Sequence, residues 1–148
     1  MAQKMTFQAK GSSQNMQTTV TTGNHQVTID EPPNMGGEDT GPDPLGNLLA
    51  SLAGCENVIA NMVAKEIDFE LNGITFDVTA ELDPRGLMGQ ADVRPYFQKA
   101  HVHAKVHTSE PQERIDELQQ KTDARCPVYT TLEAAGVELT HTWEPAEL

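Results

Sequence analysis

The chain has two cysteines, Cys55 in LAGCENV and Cys126 in ARCPV, 71 positions apart. A thiolate is a nucleophile and the first rung of an oxidation ladder that runs through sulfenic acid to a disulfide. Two thiols brought together by the fold suit a redox cycle in which one is oxidised and the other resolves it. Cys126 stands directly before Pro127, a residue favoured at the first position of a helix. That places Cys126 at a helix start, where unpaired N–H groups and the dipole stabilise a thiolate. No C-x-x-C is present, and cysteine is among the most buried residue types, so two unrelated core cysteines are the competing reading.

Other groups offer less. In HVHAKVH, His101, His103 and His107 fall on one strand face, and H-x-H is a possible metal pair. Lys105 shares that row and would repel a cation, and no carboxylate completes an obvious site, so a polar solvent-facing strand without metal is expected. No G-x-S-x-G occurs to support a serine hydrolase. GGEDTG is neither a P-loop nor a dinucleotide fingerprint.

The elements that must position the cysteines follow from pattern. KMTFQAK, QTTVTT and HQVTID alternate and are broken at Gly11-Ser12-Ser13 and Gly23-Asn24, which predicts a three-stranded antiparallel meander. EPPNMGGEDTGP, residues 31–42, reads as a Pro/Gly-rich loop. Asp43 is placed to cap, and Pro44 to open, a helix running to about Lys65. Leu48, Leu52, Cys55, Ile59 and Met62 form its expected apolar stripe, and its many small residues predict a central, enclosed helix. Ile74 to Leu82 alternate as a strand, residues 83–95 as a loop, and Val102, Ala104 and Val106 as a second strand. Ser109 with Gln112 suggests a capping box for a helix carrying Ile115, Leu118 and Thr122. A short helix then begins at Pro127 and ends at Gly136, and Val137, Leu139 and Trp143 mark a last strand.

The order is βββ-α-ββ-αα-β, an α+β chain without internal repeats, expected to be one domain over residues 1–148. Three strands and one very apolar helix make a poor core alone, so two chains are expected to intertwine as a homodimer with their central helices together. Ten basic residues against 22 acidic ones, for a net charge of −12, argue against nucleic-acid binding. No run approaches the ~20 apolar residues of a membrane span, and the N-terminus lacks an apolar signal core. A cytoplasmic protein with free thiols and no membrane partner is the expectation.

GPDPLGNLLASLAGC, ELDPRG and ARCPV together resemble the OsmC/Ohr family of small thiol-dependent hydroperoxide reductases, over roughly residues 36–143. The resemblance implies the OsmC-like fold, an intertwined α+β homodimer with central helices side by side. It also implies reduction of organic hydroperoxides in oxidative-stress defence, recycling by a dithiol such as a reduced lipoyl group, and neither metal nor flavin. By position, Cys55 would be the peroxidatic thiol and Cys126 the resolving one. Active members carry a Glu directly after the helix-opening proline and an Arg following the first strand. Here Leu45 follows Pro44, and no arginine precedes Arg85. Glu56, Arg125, Glu38 and Lys10 are the candidates for a supporting role, although a Glu56 carboxylate would raise a neighbouring thiol's pKa. The alternative reading is a binding or sensing module that keeps the fold and an apolar, thiol-lined pocket but turns over slowly.

Overall fold

The computed structural model describes residues 3–147. The chain divides after Leu48 into two compact units. The N-terminal unit holds the expected meander, an antiparallel sheet of β1 (Lys10–Gln14), β2 (Gln17–Thr22) and β3 (His25–Ile29). Its first turn differs from expectation. Gly11, Ser12 and Ser13 lie inside β1, and the chain reverses at Asn15-Met16, with Asn15 at φ 54°. Asn tolerates the left-handed region, so a two-residue turn forms there without glycine. The second turn, with Gly23 at φ 59°, falls where the sequence places it.

Residues 31–42 contain a short 3-10 turn, Pro33–Met35, and wrap around Asp30, which is 1% exposed. The Asp30 carboxylate accepts the backbone N–H groups of Glu31, Glu38 and Thr40 at 2.8, 3.3 and 3.1 Å, and the Thr40 hydroxyl at 2.7 Å. That hydroxyl above all, helped by the N–H groups, holds the Asp30 carboxyl below its ordinary pKa. Gly37 is required here because a Cβ would lie 1.9 Å from the Glu31 carbonyl oxygen.

Helix α1 (Pro44–Glu66) starts as expected, with Asp43 Oδ2 accepting the Gly46 N–H at 3.1 Å. Its buried face keeps Leu52 of the expected stripe but departs from it further along the helix. The fully covered positions are Leu52, Glu56, Ala60, Val63 and Ala64, while Cys55 and Ile59 are half-buried and Met62 is 49% exposed. The stripe is turned by about one residue, or ~100° of helix rotation. The reason lies in the small side chains. Ala60, Val63 and Ala64 share one apolar cluster with Ala104 and Val106 of the sheet and Ile115 and Leu118 of a neighbouring helix.

The C-terminal unit carries the second sheet, in the order β4 (Gly73–Glu81), β5 (Lys99–His107), β6 (Glu138–Pro145). β4 and β5 are antiparallel and β5 and β6 parallel. A parallel neighbour needs a long crossover, which α3 (Gln112–Arg125) and α4 (Pro127–Ala134) supply. A one-turn helix, α2 (Pro84–Leu87), occupies part of the expected 83–95 loop, capped by Asp83. Trp143 packs edge-on to Phe76, ring centroids 6.2 Å apart. β5 buries Ala100, Val102, Ala104 and Val106 and turns its histidines and lysines outward.

The Ser109/Gln112 capping box does not form. α3 begins after Pro111, whose side chain makes no cap bond. Ser109 Oγ donates instead to Glu70 Oε2 at 2.7 Å, and Gln112 Nε2 to the Trp143 carbonyl at 2.8 Å. Pro111 displaces the serine from the cap position, freeing both side chains to tie the helix start to its surroundings.

Candidate active site: two thiols and a buried carboxyl pair

Cys126 ends α3 and caps α4. Its N–H donates to the Thr122 carbonyl at 2.9 Å, its backbone is extended (φ −73°, ψ 113°), and Pro127 follows as the first residue of α4. The thiol is fully buried and its Sγ accepts the Tyr129 N–H at 3.4 Å. Cys55 projects from mid-α1 and is half-buried. The two sulfurs are 2.9 Å apart, the Cys126 thiol donating to Cys55 Sγ, and both cysteines are free. That separation exceeds a disulfide bond by about 0.9 Å.

The helix start does not make Cys126 acidic. Burial, reinforced by the hydrogen bond it gives Cys55, pushes its thiol far above the ordinary range, against the opposing Tyr129 N–H. Arg125, expected beside it as a cationic support, points elsewhere: its Nη1 pairs with Glu66 Oε2 at 2.6 Å on the surface.

Glu56 is entirely excluded from solvent. Burial first, then contact with the Asp123 carboxyl, raises its pKa to about 9, the Cys126 thiol acting in the opposite direction. At neutral pH it is therefore a neutral acid, and the expected charge repulsion on the thiols is relieved. Asp123, 7% exposed, accepts Gln119 Nε2 at 2.5 Å. Tyr129 is raised to about 12 by burial and then by Asp123.

Lys10 and Glu38 belong to the N-terminal unit. Lys10 is exposed at the start of β1, and the Glu38 N–H is bound by Asp30. On β5, His101 bridges Thr140 and Thr142 at 2.6 and 3.2 Å, His103 lies 3.2 Å from Glu144, and His107 3.1 Å from Thr75. Among the described residues no three His, Cys, Asp or Glu side chains gather as a metal-ligand group. Asp123, Gln119 and Tyr129 carry no motif. The signal for them was the placement of Ile115, Leu118 and Thr122, which puts Gln119 and Asp123 beside the buried stripe of α3.

Comparison with known proteins agrees with this arrangement of elements. A family model described as OsmC-like protein matches residues 36–142, and the chain belongs to that family. It is similar to the hydroperoxide reductase of Mycoplasma pneumoniae, 27% identical over 111 residues, 75% of this chain and 74% of the relative. The hydroperoxide reductase of Mycoplasma genitalium is 28% identical over 109 residues, 74% and 73% of the two chains. Among solved structures, the OsmC-like protein from Mycoplasma pneumoniae superposes with a TM-score of 0.84 at 20% identity, covering 98% of this chain and 100% of that one. The mixed α+β fold, with two small sheets and four α-helices among the described residues, is thus that of OsmC-like structures.

Proposed function

We propose that this protein is a thiol-dependent peroxidase that reduces organic hydroperoxides through a two-cysteine cycle. The observation that carries the reading is the 2.9 Å approach of two free thiols that lie 71 residues apart in sequence. The names of the two Mycoplasma relatives supply hydroperoxides as the substrate class, and the apolar residues beside Cys55 on α1 favour organic ones. Cys55, the more accessible thiol, attacks the distal peroxide oxygen as a thiolate. The O–O bond breaks, the alcohol leaves with a proton, and Cys55 becomes a sulfenic acid. Cys126 attacks that sulfur, expelling water and closing the disulfide, and an external dithiol of the lipoyl type reopens it. No cofactor is required by these steps.

The working unit is a homodimer of single-domain chains. Val58 and Met62 leave an apolar strip of α1 51% and 49% exposed in the single chain, which a second copy would cover. No helix among the described residues is long and apolar enough to cross a membrane. Free thiols fit a cytoplasmic setting.

Two observations favour the second reading, a slow binding or sensing module. The arginine next to Cys126 is engaged by Glu66, and Leu45 takes the place of a catalytic glutamate. Steady-state reduction of cumene hydroperoxide with a dithiol, by wild type and Cys55→Ser, separates the two. Turnover abolished by Cys55→Ser supports the peroxidase, and equal background rates support the module.

A further inference from the structure

Glu56 follows Cys55 on α1 and is completely buried, yet neither of its carboxyl oxygens meets a partner at good hydrogen-bond geometry. An apolar residue would fill this helix position without leaving buried polar atoms unpaired, which is costly. The titratable groups neighbouring it are Cys55 on its own helix, Asp123 from α3, Cys126 at the cap of α4 and Tyr129 from α4. Asp123 has one oxygen held by Gln119 and the other buried and unpartnered. Glu56 therefore neighbours both the Cys126 thiol and a second carboxyl.

We propose that Glu56 and Asp123 form a two-carboxyl proton relay that takes up the Cys126 proton as Cys126 attacks the sulfur of Cys55, and returns it to the departing group. The proposal rests on the two-thiol reading above and assigns its second step. The Cys126 sulfur donates an electron pair to the Cys55 sulfur and the S–S bond forms. The S–O bond of the sulfenic acid breaks and its electrons leave with hydroxide. The Cys126 proton, no longer donated to a Cys55 thiol, passes to Glu56 as the proton already on Glu56 moves to Asp123. The carboxyl pair then protonates the hydroxide, so one water is produced and the pair is restored. A thiol whose pKa is driven up by burial does not ionise unaided near neutrality, which is why the step needs an acceptor at that place.

Two substrates for closure separate this proposal from the peroxidase reading. In the first arm, reduced protein receives one equivalent of cumene hydroperoxide. Cys55 sulfenic acid formation is timed by trapping in a Cys126→Ser background, and its conversion to disulfide in the presence of Cys126. In the second arm, Cys55 is converted to its methyl disulfide with limiting methyl methanethiosulfonate, and release of methanethiol by Cys126 is followed. Glu56→Gln and Asp123→Asn are expected to slow closure in both arms by about tenfold or more, while sulfenic acid forms at the wild-type rate. Unchanged closure in the variants overturns the relay. Equal slowing of sulfenic acid formation and closure also overturns it, because that assigns the carboxyls a structural role. If no sulfenic acid forms in any protein, the peroxidase reading fails alone and methanethiol release decides the relay. Asp123→Asn keeps the test available should Glu56→Gln fail to fold.

Discussion

At the residue scale, the two thiols differ in access more than in kind. Cys55 is half-buried and Cys126 fully buried, so an organic peroxide meets Cys55 first. Sulfenic acid trapped after one equivalent of peroxide is expected at Cys55 in Cys126→Ser, with none at Cys126 in Cys55→Ser. Label only at Cys126 in Cys55→Ser would exchange the roles. Glu56 gives a second prediction. Its folded pKa, raised from 4.5 to about 9 chiefly by burial, means that the native state holds this proton more tightly than the unfolded chain. Its contribution to stability is full below about pH 4.5 and is lost as pH rises through about 9, because the unfolded carboxyl ionises first. Urea midpoints of wild type and Glu56→Gln, measured at about pH 5 and about pH 8.5, should shift in favour of the glutamine variant at the higher pH. A difference that does not change with pH would mean that Glu56 ionises normally. Residue type made both cysteines legible, and Pro127 placed Cys126 at its helix start. The depth of Glu56 was not legible, since a charged residue one position off an apolar stripe reads as outward-facing. The groups it meets there, Asp123 and Cys126, lie 67 and 70 residues away in sequence and leave no local signal.

At the element scale, the position of α1 decides which groups meet. Its start was readable because Asp43 and Pro44 act locally. The direction of its buried face was not, because Ala60, Val63 and Ala64 fit closely into a cluster built by β5 and α3. Leu52→Ala, at a site with no solvent exposure, should lower stability by about 2–5 kcal/mol in chemical denaturation. A loss below about 1 kcal/mol would mean that the helix face is not packed as described. The capping box shows the same limit. Ser109 and Gln112 have the right spacing, but Pro111 between them fixes the helix start and sends both side chains to other partners. Joining α1 to the start of α4 through Cys55 and Cys126 closes a chain segment of 71 residues. The oxidised protein should therefore be more stable by up to about 4 kcal/mol, a gain absent from Cys126→Ser.

At the scale of the whole molecule, one chain leaves apolar surface without cover. Met5 and Phe7 are 81% and 85% exposed, in addition to Val58 and Met62 on α1. Sedimentation at micromolar concentration should show a dimer, and a compact, stable monomer would contradict the homodimer. The alternation of the strands was readable as an element order, whereas the parallel pairing of β5 with β6 has no local signal in the sequence. A pairing of chains would leave only an unburied surface as its trace in one chain. The account as a whole rests on the claim that the two thiols act together on a peroxide. Intact-mass analysis of the reduced protein after one equivalent of cumene hydroperoxide tests it directly, followed by peptide mapping without reduction. The account predicts loss of two hydrogens per chain and a single cross-linked peptide joining Cys55 to Cys126. A chain left at its reduced mass, or one that gains oxygen at Cys55 without forming the cross-link, would contradict it.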